Sequence, residues 1–146
     1  MDAVNNPALI KFFDVYAQLG KENLAQLADV YHHSVIFEDP AHKIEGFTAL
    51  EAYFFNLYQN INSCRFVINS YVEDDHEAFV QWTMHFSHPR LQNGKERRLE
   101  GCTQLKFEQE KVIYHRDYFD MGEMIYEGLP MFGRIIRHIK ARLGQS

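Results

Sequence analysis

Apolar and polar positions along the chain fall into two regimes. Up to about residue 61 the apolar positions recur at helical spacing, and from Arg65 onward they alternate as in strands. Leu9, Phe12, Phe13, Tyr16 and Leu19 share one face of a first helix, with Asn6 as its cap, Pro7 at its first position and Gly20 as its stop. Leu24, Leu27, Ala28 and Tyr31 predict a second amphipathic helix, so the two form an αα-hairpin with a very short connection. Val35 to Asp39 reads as a short edge strand ended by Pro40, which cannot donate a ladder hydrogen bond. A loop through Gly46 leads to a third helix whose buried stripe is Leu50, Tyr53, Phe54, Leu57 and Ile61.

Four strand-like segments follow: Arg65 to Val72, Ala78 to His88, Arg97 to Phe107 and Val112 to Phe119. Glu73-Asp74-Asp75-His76, Asn93-Gly94 and Gln109-Glu110 supply turns between them, which predicts an antiparallel meander. A broken apolar segment around Gly128-Leu129-Pro130 leads to a basic amphipathic helix carrying Ile135, Ile136, Ile139 and Leu143. There is no internal repeat, low-complexity tract or linker, so one domain spanning 1–146 is expected. Helices first and sheet second predict an α+β roll, a curved and mainly antiparallel sheet with the N-terminal helices on its concave side.

Composition narrows the function classes. With 146 residues and 46% hydrophobic content the chain can bury a sizeable core, and twelve Phe and eight Tyr make that core aromatic. A net charge of −5 argues against nucleic acid. Arg134, Arg137, Lys140 and Arg142 concentrate positive charge near the C-terminus, where a solvated helix face is expected. The start has no basic segment followed by an apolar run, and no stretch approaches the roughly 20 apolar residues of a membrane span, so a cytoplasmic protein is expected. Cys64 and Cys102 are too few for a disulfide framework, and His32-His33 and His85-x-x-His88 lack metal-ligand spacing. No metal and no cofactor is expected.

The candidate chemistry lies in Tyr114-His115-Arg116-Asp117-Tyr118-Phe119-Asp120, the last strand. Alternation puts His115, Asp117 and Phe119 on one face and Tyr114, Arg116 and Tyr118 on the other, so whichever face is covered buries a charge. A buried carboxylate needs a partner or a proton; Arg116, Arg65 and His115 are the candidates for Asp117. His115-Arg116-Asp117 also opens like a protein-kinase catalytic loop, but the Asn that motif requires is Gly122 here, and no glycine-rich loop precedes it.

This element order resembles the nuclear transport factor 2-like superfamily, whose members include SnoaL-like polyketide cyclases, ketosteroid isomerases and limonene epoxide hydrolase. The resemblance implies a cone-shaped roll. Phe37-Glu38-Asp39-Pro40 with the later Gly46 is similar to the isomerase segment that carries the proton-shuttling Asp. Arg116-Asp117-Tyr118-Phe119-Asp120 is similar to the hydrolase strand that carries one of two catalytic aspartates. The chain departs from both patterns: Thr103 stands where the isomerase has a protonated acid, Tyr16 lies one residue from the oxyanion Tyr, and Trp82 and Met84 occupy the places of the hydrolase Arg and second Asp.

The resemblance implies that Asp117 faces the concave side, with His115 and Phe119 beside it. Val80, Trp82, Met84 and Phe86 are then the apolar face of the second long strand, and Phe12, Tyr16, Tyr53 and Leu57 complete the walls. The expected ligand is a small apolar molecule with one or two polar oxygens, and the favoured chemistry is proton transfer next to a carbonyl. Asp39 or Asp117 is the base, and His115 or Tyr16 donates to the developing oxyanion. A non-catalytic ligand-binding or protein-interaction module and an epoxide-hydrolase-like enzyme are the alternatives. The outer sheet face, with Gln81, Thr83, His85, Arg116 and Tyr118, is expected to pair in a homodimer.

Overall fold

The computed structural model describes residues 4–122 and 141–144. Helix α1 (Pro7–Tyr16) begins where the Asn6 side chain accepts from the amides of Ala8 and Leu9 at 2.9 and 3.4 Å. These are two of the amides that a helix start leaves open, and Pro7 has none to satisfy. Leu9, Phe12, Val15 and Tyr16 form its buried face.

The expected second helix is corrected. Leu24–Asp29 is a 3₁₀ helix, and Tyr31 opens strand β1 (Tyr31–Glu38) instead of closing a helical stripe. Pairing decides the outcome: the amide of Val112 donates to the carbonyl of Val30 at 2.9 Å, and Tyr31 lies opposite Val112. Those sheet contacts outweigh the weak helical preference of a short segment. The same pairing moves β1 from the expected edge to the interior of the sheet. The edge is taken by β2 (Lys43–Glu45), which antiparallel pairing sets against Ile36–Glu38 across the Asp39-Pro40 turn.

Helix α2 (Phe47–Asn60) starts after Gly46, whose φ of +87° is a conformation that favours glycine. Leu50, Phe54 and Tyr58 are its buried residues, while Tyr53 and Leu57 are half-buried. The meander comprises β3 (Ser63–Glu73), β4 (Glu77–Ser87), β5 (Arg97–Glu108) and β6 (Lys111–Tyr118). The six-stranded sheet has the order β2-β1-β6-β5-β4-β3, antiparallel except between β1 and β6.

Curvature has local causes. Ile68 pairs with Trp82 and Ser70 with Gln81, which leaves Asn69 as a bulge residue, and its side-chain amide donates to Thr83 Oγ1 at 2.8 Å. A second bulge lies on β6 between the Tyr114 and Val112 pairings. Bulges bend and twist the strand that carries them. The β5–β6 hairpin turns through Gln109 and Glu110, at φ of 54° and 60°, as a two-residue hairpin with both central residues left-handed. Asn93 and Gly94 are also left-handed, but they sit within a longer connection, since β4 ends at Ser87 and β5 begins at Arg97.

Val80, Trp82, Met84 and Phe86 are buried on the inner face. The outer face leaves Val67, Val72, Phe79 and Tyr118 exposed; Thr83, also outward by alternation, is buried beneath Asn69. The expected break around Gly128–Pro130 and the helix positions Ile135, Ile136 and Ile139 lie outside the described residues. No described helix is long and apolar enough to cross a membrane.

Candidate functional site

Two neighbouring strand ends create the site. In the parallel β1–β6 pair, Phe37 lies opposite His115. Two residues on from each, and therefore on the same face, come Asp39 and Asp117. Both carboxylates line one cavity of about 520 Å³, within the roughly 300–1,000 Å³ range of small-molecule pockets. Its walls also include Phe12, Tyr16, Tyr53, Leu57, Trp82, Met84, Phe86, Thr103, His115 and Phe119, whereas Val80, expected on the same strand face, is buried behind the wall and does not line it.

Behind Asp117 runs a buried hydrogen-bonded chain. His115 Nε2 lies 2.7 Å from Asp117 Oδ1, and the Thr103 hydroxyl donates to the same oxygen at 2.5 Å. Thr103 Oγ1 in turn accepts from the Trp82 indole N–H at 2.7 Å. On the other side, His115 Nδ1 is 2.9 Å from the Tyr31 hydroxyl, which is 2.5 Å from that of Tyr16. With Asp117 ionised and the His115 ring neutral, Nε2–H donates to the carboxylate, so Nδ1 accepts from Tyr31 and Tyr31 accepts from Tyr16. Burial holds both tyrosine hydroxyls well above their ordinary pKa, so they remain protonated donors.

This settles who partners Asp117: His115, with Thr103. Arg116 turns to the outer face, where it pairs with Glu38 at 3.4 Å and stacks over Tyr118. Glu38 also accepts from the Tyr114 hydroxyl, a bond that leads in lowering its pKa. Asp117 Oδ2, in contrast to the doubly bonded Oδ1, has no hydrogen-bond partner among the described residues.

Space for the indole comes from Gly101, which lies directly opposite Trp82 on β5. A Cβ there would stand 2.4 Å from Trp82 Cη2. The ring therefore crosses β5 over the glycine to reach Thr103, packed edge-on against Phe66 and Phe119.

Asp39 is held differently. Its Oδ1 accepts the amides of Ala41 and His42 at 2.8 and 2.7 Å, as an Asx turn, and lies 3.0 Å from His42 Nδ1. Oδ2 accepts from the Tyr53 hydroxyl at 3.2 Å, and burial, followed by the Asp39 charge, raises the pKa of Tyr53. His42 itself borders the cavity with its side chain 47% exposed. At the other end of the β4 floor, beyond Phe86, the wall is completed by His88, Arg90 and Leu91.

Sequence reasoning missed Tyr31, Phe37 and His42. Phe37 and Asp39 shared a parity with Val35 that was available to be read. Tyr31 was hidden by a helical pattern, and His42 by its place in a turn; Asp39-Pro40 was the signal that a side chain nearby would be fixed. Among the described residues, no cluster of His, Cys, Asp and Glu is arranged to hold a metal ion.

Comparison with known proteins places the chain. Residues 11–115 match the SnoaL-like domain family. No curated protein matches the chain at the level of sequence. Among solved structures, a putative SnoaL-like polyketide cyclase from Jannaschia sp. CCS1 is similar at TM-score 0.73 with 11% identity, covering 88% of this chain and 96% of that one. An epoxide hydrolase of the limonene epoxide hydrolase-like type from M. tuberculosis is similar at TM-score 0.69 with 14% identity, covering 84% and 85%. TerC, co-crystallised with polyporic acid, is similar at TM-score 0.69 with 15% identity, covering 79% and 92%. At such identities these likenesses show the fold, a curved, unclosed sheet with helices on its concave side. The chain belongs to the SnoaL-like family, within the nuclear transport factor 2-like superfamily.

Proposed function

We propose that the cavity binds a small, largely apolar molecule bearing a carbonyl oxygen, and that Asp117 moves a proton on the carbon next to that carbonyl. The observation that carries this reading is the asymmetry of Asp117. Its Oδ1 is saturated by His115 and Thr103, while Oδ2 is left without a partner among the described residues on a cavity wall made mostly of apolar and aromatic side chains. A carboxylate held by one oxygen and presented by the other is positioned to take a proton from carbon. The Tyr16–Tyr31–His115 chain keeps the imidazole in place and supports the negative charge.

Asp39, by contrast, spends both oxygens on Ala41, His42 and Tyr53, which argues for Asp117 over Asp39 as the base. Hydrolysis of the limonene epoxide type is disfavoured, because the positions where an Arg and a second Asp would stand carry Trp82 and Met84, both on the cavity wall.

Trp82 is the single tryptophan of the chain and lines the cavity, so its fluorescence reports on occupancy. Titration with 2-tetralone, an apolar ketone with acidic α-protons, is expected to quench it saturably at one ligand per chain. Absence of saturable quenching contradicts the reading.

A further inference from the structure

We propose that His42, oriented by Asp39, is a second proton-transfer group of the same cavity and acts at the substrate oxygen while Asp117 acts at carbon. The inference rests on the proposed reading of the cavity and supplies the group which that reading lacks. Both nitrogens of His115 are engaged, with Tyr31 and Asp117, and the ring is 2% exposed. With the His115 ring neutral, the hydroxyl of Tyr16 donates to Tyr31, and that of Thr103 donates to Asp117. None of these has a donor left for a developing oxyanion.

His42 has one. Its Nδ1 faces Asp39 Oδ1 at 3.0 Å, so the imidazole is held by the nitrogen nearer its own backbone and Nε2 stays without a partner among the described residues. Asp39 is itself fixed by two backbone amides and the Tyr53 hydroxyl, and its side chain is only 7% exposed. A buried carboxylate that binds one imidazole nitrogen of a cavity-lining histidine and leaves the other nitrogen unpartnered is the arrangement that prepares a histidine for proton transfer. The Tyr53 ring lies between His42 and Phe37, and Phe37 packs at a tilt against His115, with centroid separations of 5.1, 5.7 and 4.6 Å along that line. A continuous aromatic wall thus joins the two carboxylate-backed groups.

The step balances without any co-reactant. Asp117 Oδ2 forms an O–H bond with the α-proton, and the C–H electron pair becomes the C=C bond of an enol. The carbonyl π pair moves to oxygen, which takes a proton from protonated His42 Nε2. On return, the enol oxygen gives its proton back to His42, and the proton on Asp117 goes to the same carbon or to one conjugated with it. Asp39 is a positioning residue in this scheme.

The test uses naphthalene and 2-naphthol, which share a body and differ by the oxygen. Trp82 quenching gives both affinities in the wild type, His42→Phe and Asp39→Asn. The wild type is expected to prefer 2-naphthol, and His42→Phe is expected to lose about tenfold in 2-naphthol affinity, the equivalent of one hydrogen bond, while naphthalene changes less than about twofold. Naphthalene binding also confirms that the variant is folded. The side-chain amide introduced by Asp39→Asn keeps a carbonyl for the Ala41 and His42 amides, so that substitution preserves the turn. In ¹⁵N NMR, neutral His42 is expected to carry its proton on Nδ1 in the wild type and to shift toward Nε2 in Asp39→Asn. An unchanged 2-naphthol preference in His42→Phe, or an Nε2–H tautomer in the wild type, overturns this inference and leaves the role of Asp117 intact. A wild type that binds neither compound overturns the cavity reading and this inference with it.

Discussion

Substituting Gly101 by Ala perturbs the site without touching any polar atom in it. The new methyl would lie 2.4, 2.5 and 3.0 Å from Cη2, Cζ2 and Cζ3 of Trp82, against an ordinary carbon contact of about 3.5–4.0 Å, so the indole must retreat by roughly an ångström. It cannot do so freely, since Nε1–H is bonded to Thr103 at 2.7 Å and the ring is flanked by Phe66 and Phe119. Overpacking of this kind costs about 1–3 kcal/mol, and loss of the indole–threonine bond adds about 1 kcal/mol. At about 2–4 °C per kcal/mol for a chain of this size, the melting temperature should fall by roughly 5–15 °C. Circular-dichroism melts measure the loss, and Trp82 emission reports the displaced ring directly because no other tryptophan is present. In a Trp82→Phe background the clash disappears, so Gly101→Ala should there cost less than about 1 kcal/mol. An unchanged melting temperature with unchanged emission would refute the placement of the indole over Gly101.

Three further outcomes are expected. Tyr31→Phe leaves His115 Nδ1 and the Tyr16 hydroxyl without their buried partner, at about 2–4 kcal/mol by urea denaturation; Tyr16→Phe/Tyr31→Phe should cost less than the sum of the singles, and strict additivity would deny the chain. Burial pushes the Cys64 thiol from 9.0 up to about 11, so between those values the unfolded chain has released a proton that the folded chain still holds, and stability should fall as pH rises through that window. The raised hydroxyls of Tyr16 and Tyr31 extend the loss above pH 10. Cys64→Ala should remove the part of the slope that begins near pH 9, and a flat profile in the wild type would contradict the burial of these groups. The outer sheet face, which exposes Val67, Val72, Phe79 and Tyr118, is expected to be covered by a second copy of the chain; sedimentation showing only monomer at micromolar concentration counts against it.

The parts of the fold that were legible in the sequence are those set by local pattern. Asn6-Pro7 marks a helix start whatever surrounds it, and the alternation of Val80, Trp82, Met84 and Phe86 survives as one buried strand face because a strand presents every second residue. The β1 region was misread because its conformation is decided at a distance. Nothing between Leu24 and Tyr31 announces that Val112 will pair there and draw the chain into a parallel ladder. The same holds at the site. That Asp117 and His115 share a face follows from parity, but their distance from Tyr31 and Tyr16 depends on how β1 and α1 are brought against β6. His42 carried no periodic signal at all, since a turn residue owes its orientation to the carboxylate that binds it.

The central claim, that Asp117 is a base with one oxygen facing an apolar cavity, is tested most directly by following hydrogen–deuterium exchange at the α-carbon of 2-tetralone in D₂O by ¹H NMR, with the wild type and with Asp117→Asn. Asn keeps an oxygen to accept from His115 and Thr103, so the variant should remain folded at a cost of about 1–2 kcal/mol, the difference between charge-assisted and neutral hydrogen bonds. The account predicts that the wild type accelerates exchange well above buffer and that the folded variant returns it to the buffer rate. Exchange that the wild type fails to accelerate, or that Asp117→Asn accelerates equally, would contradict it.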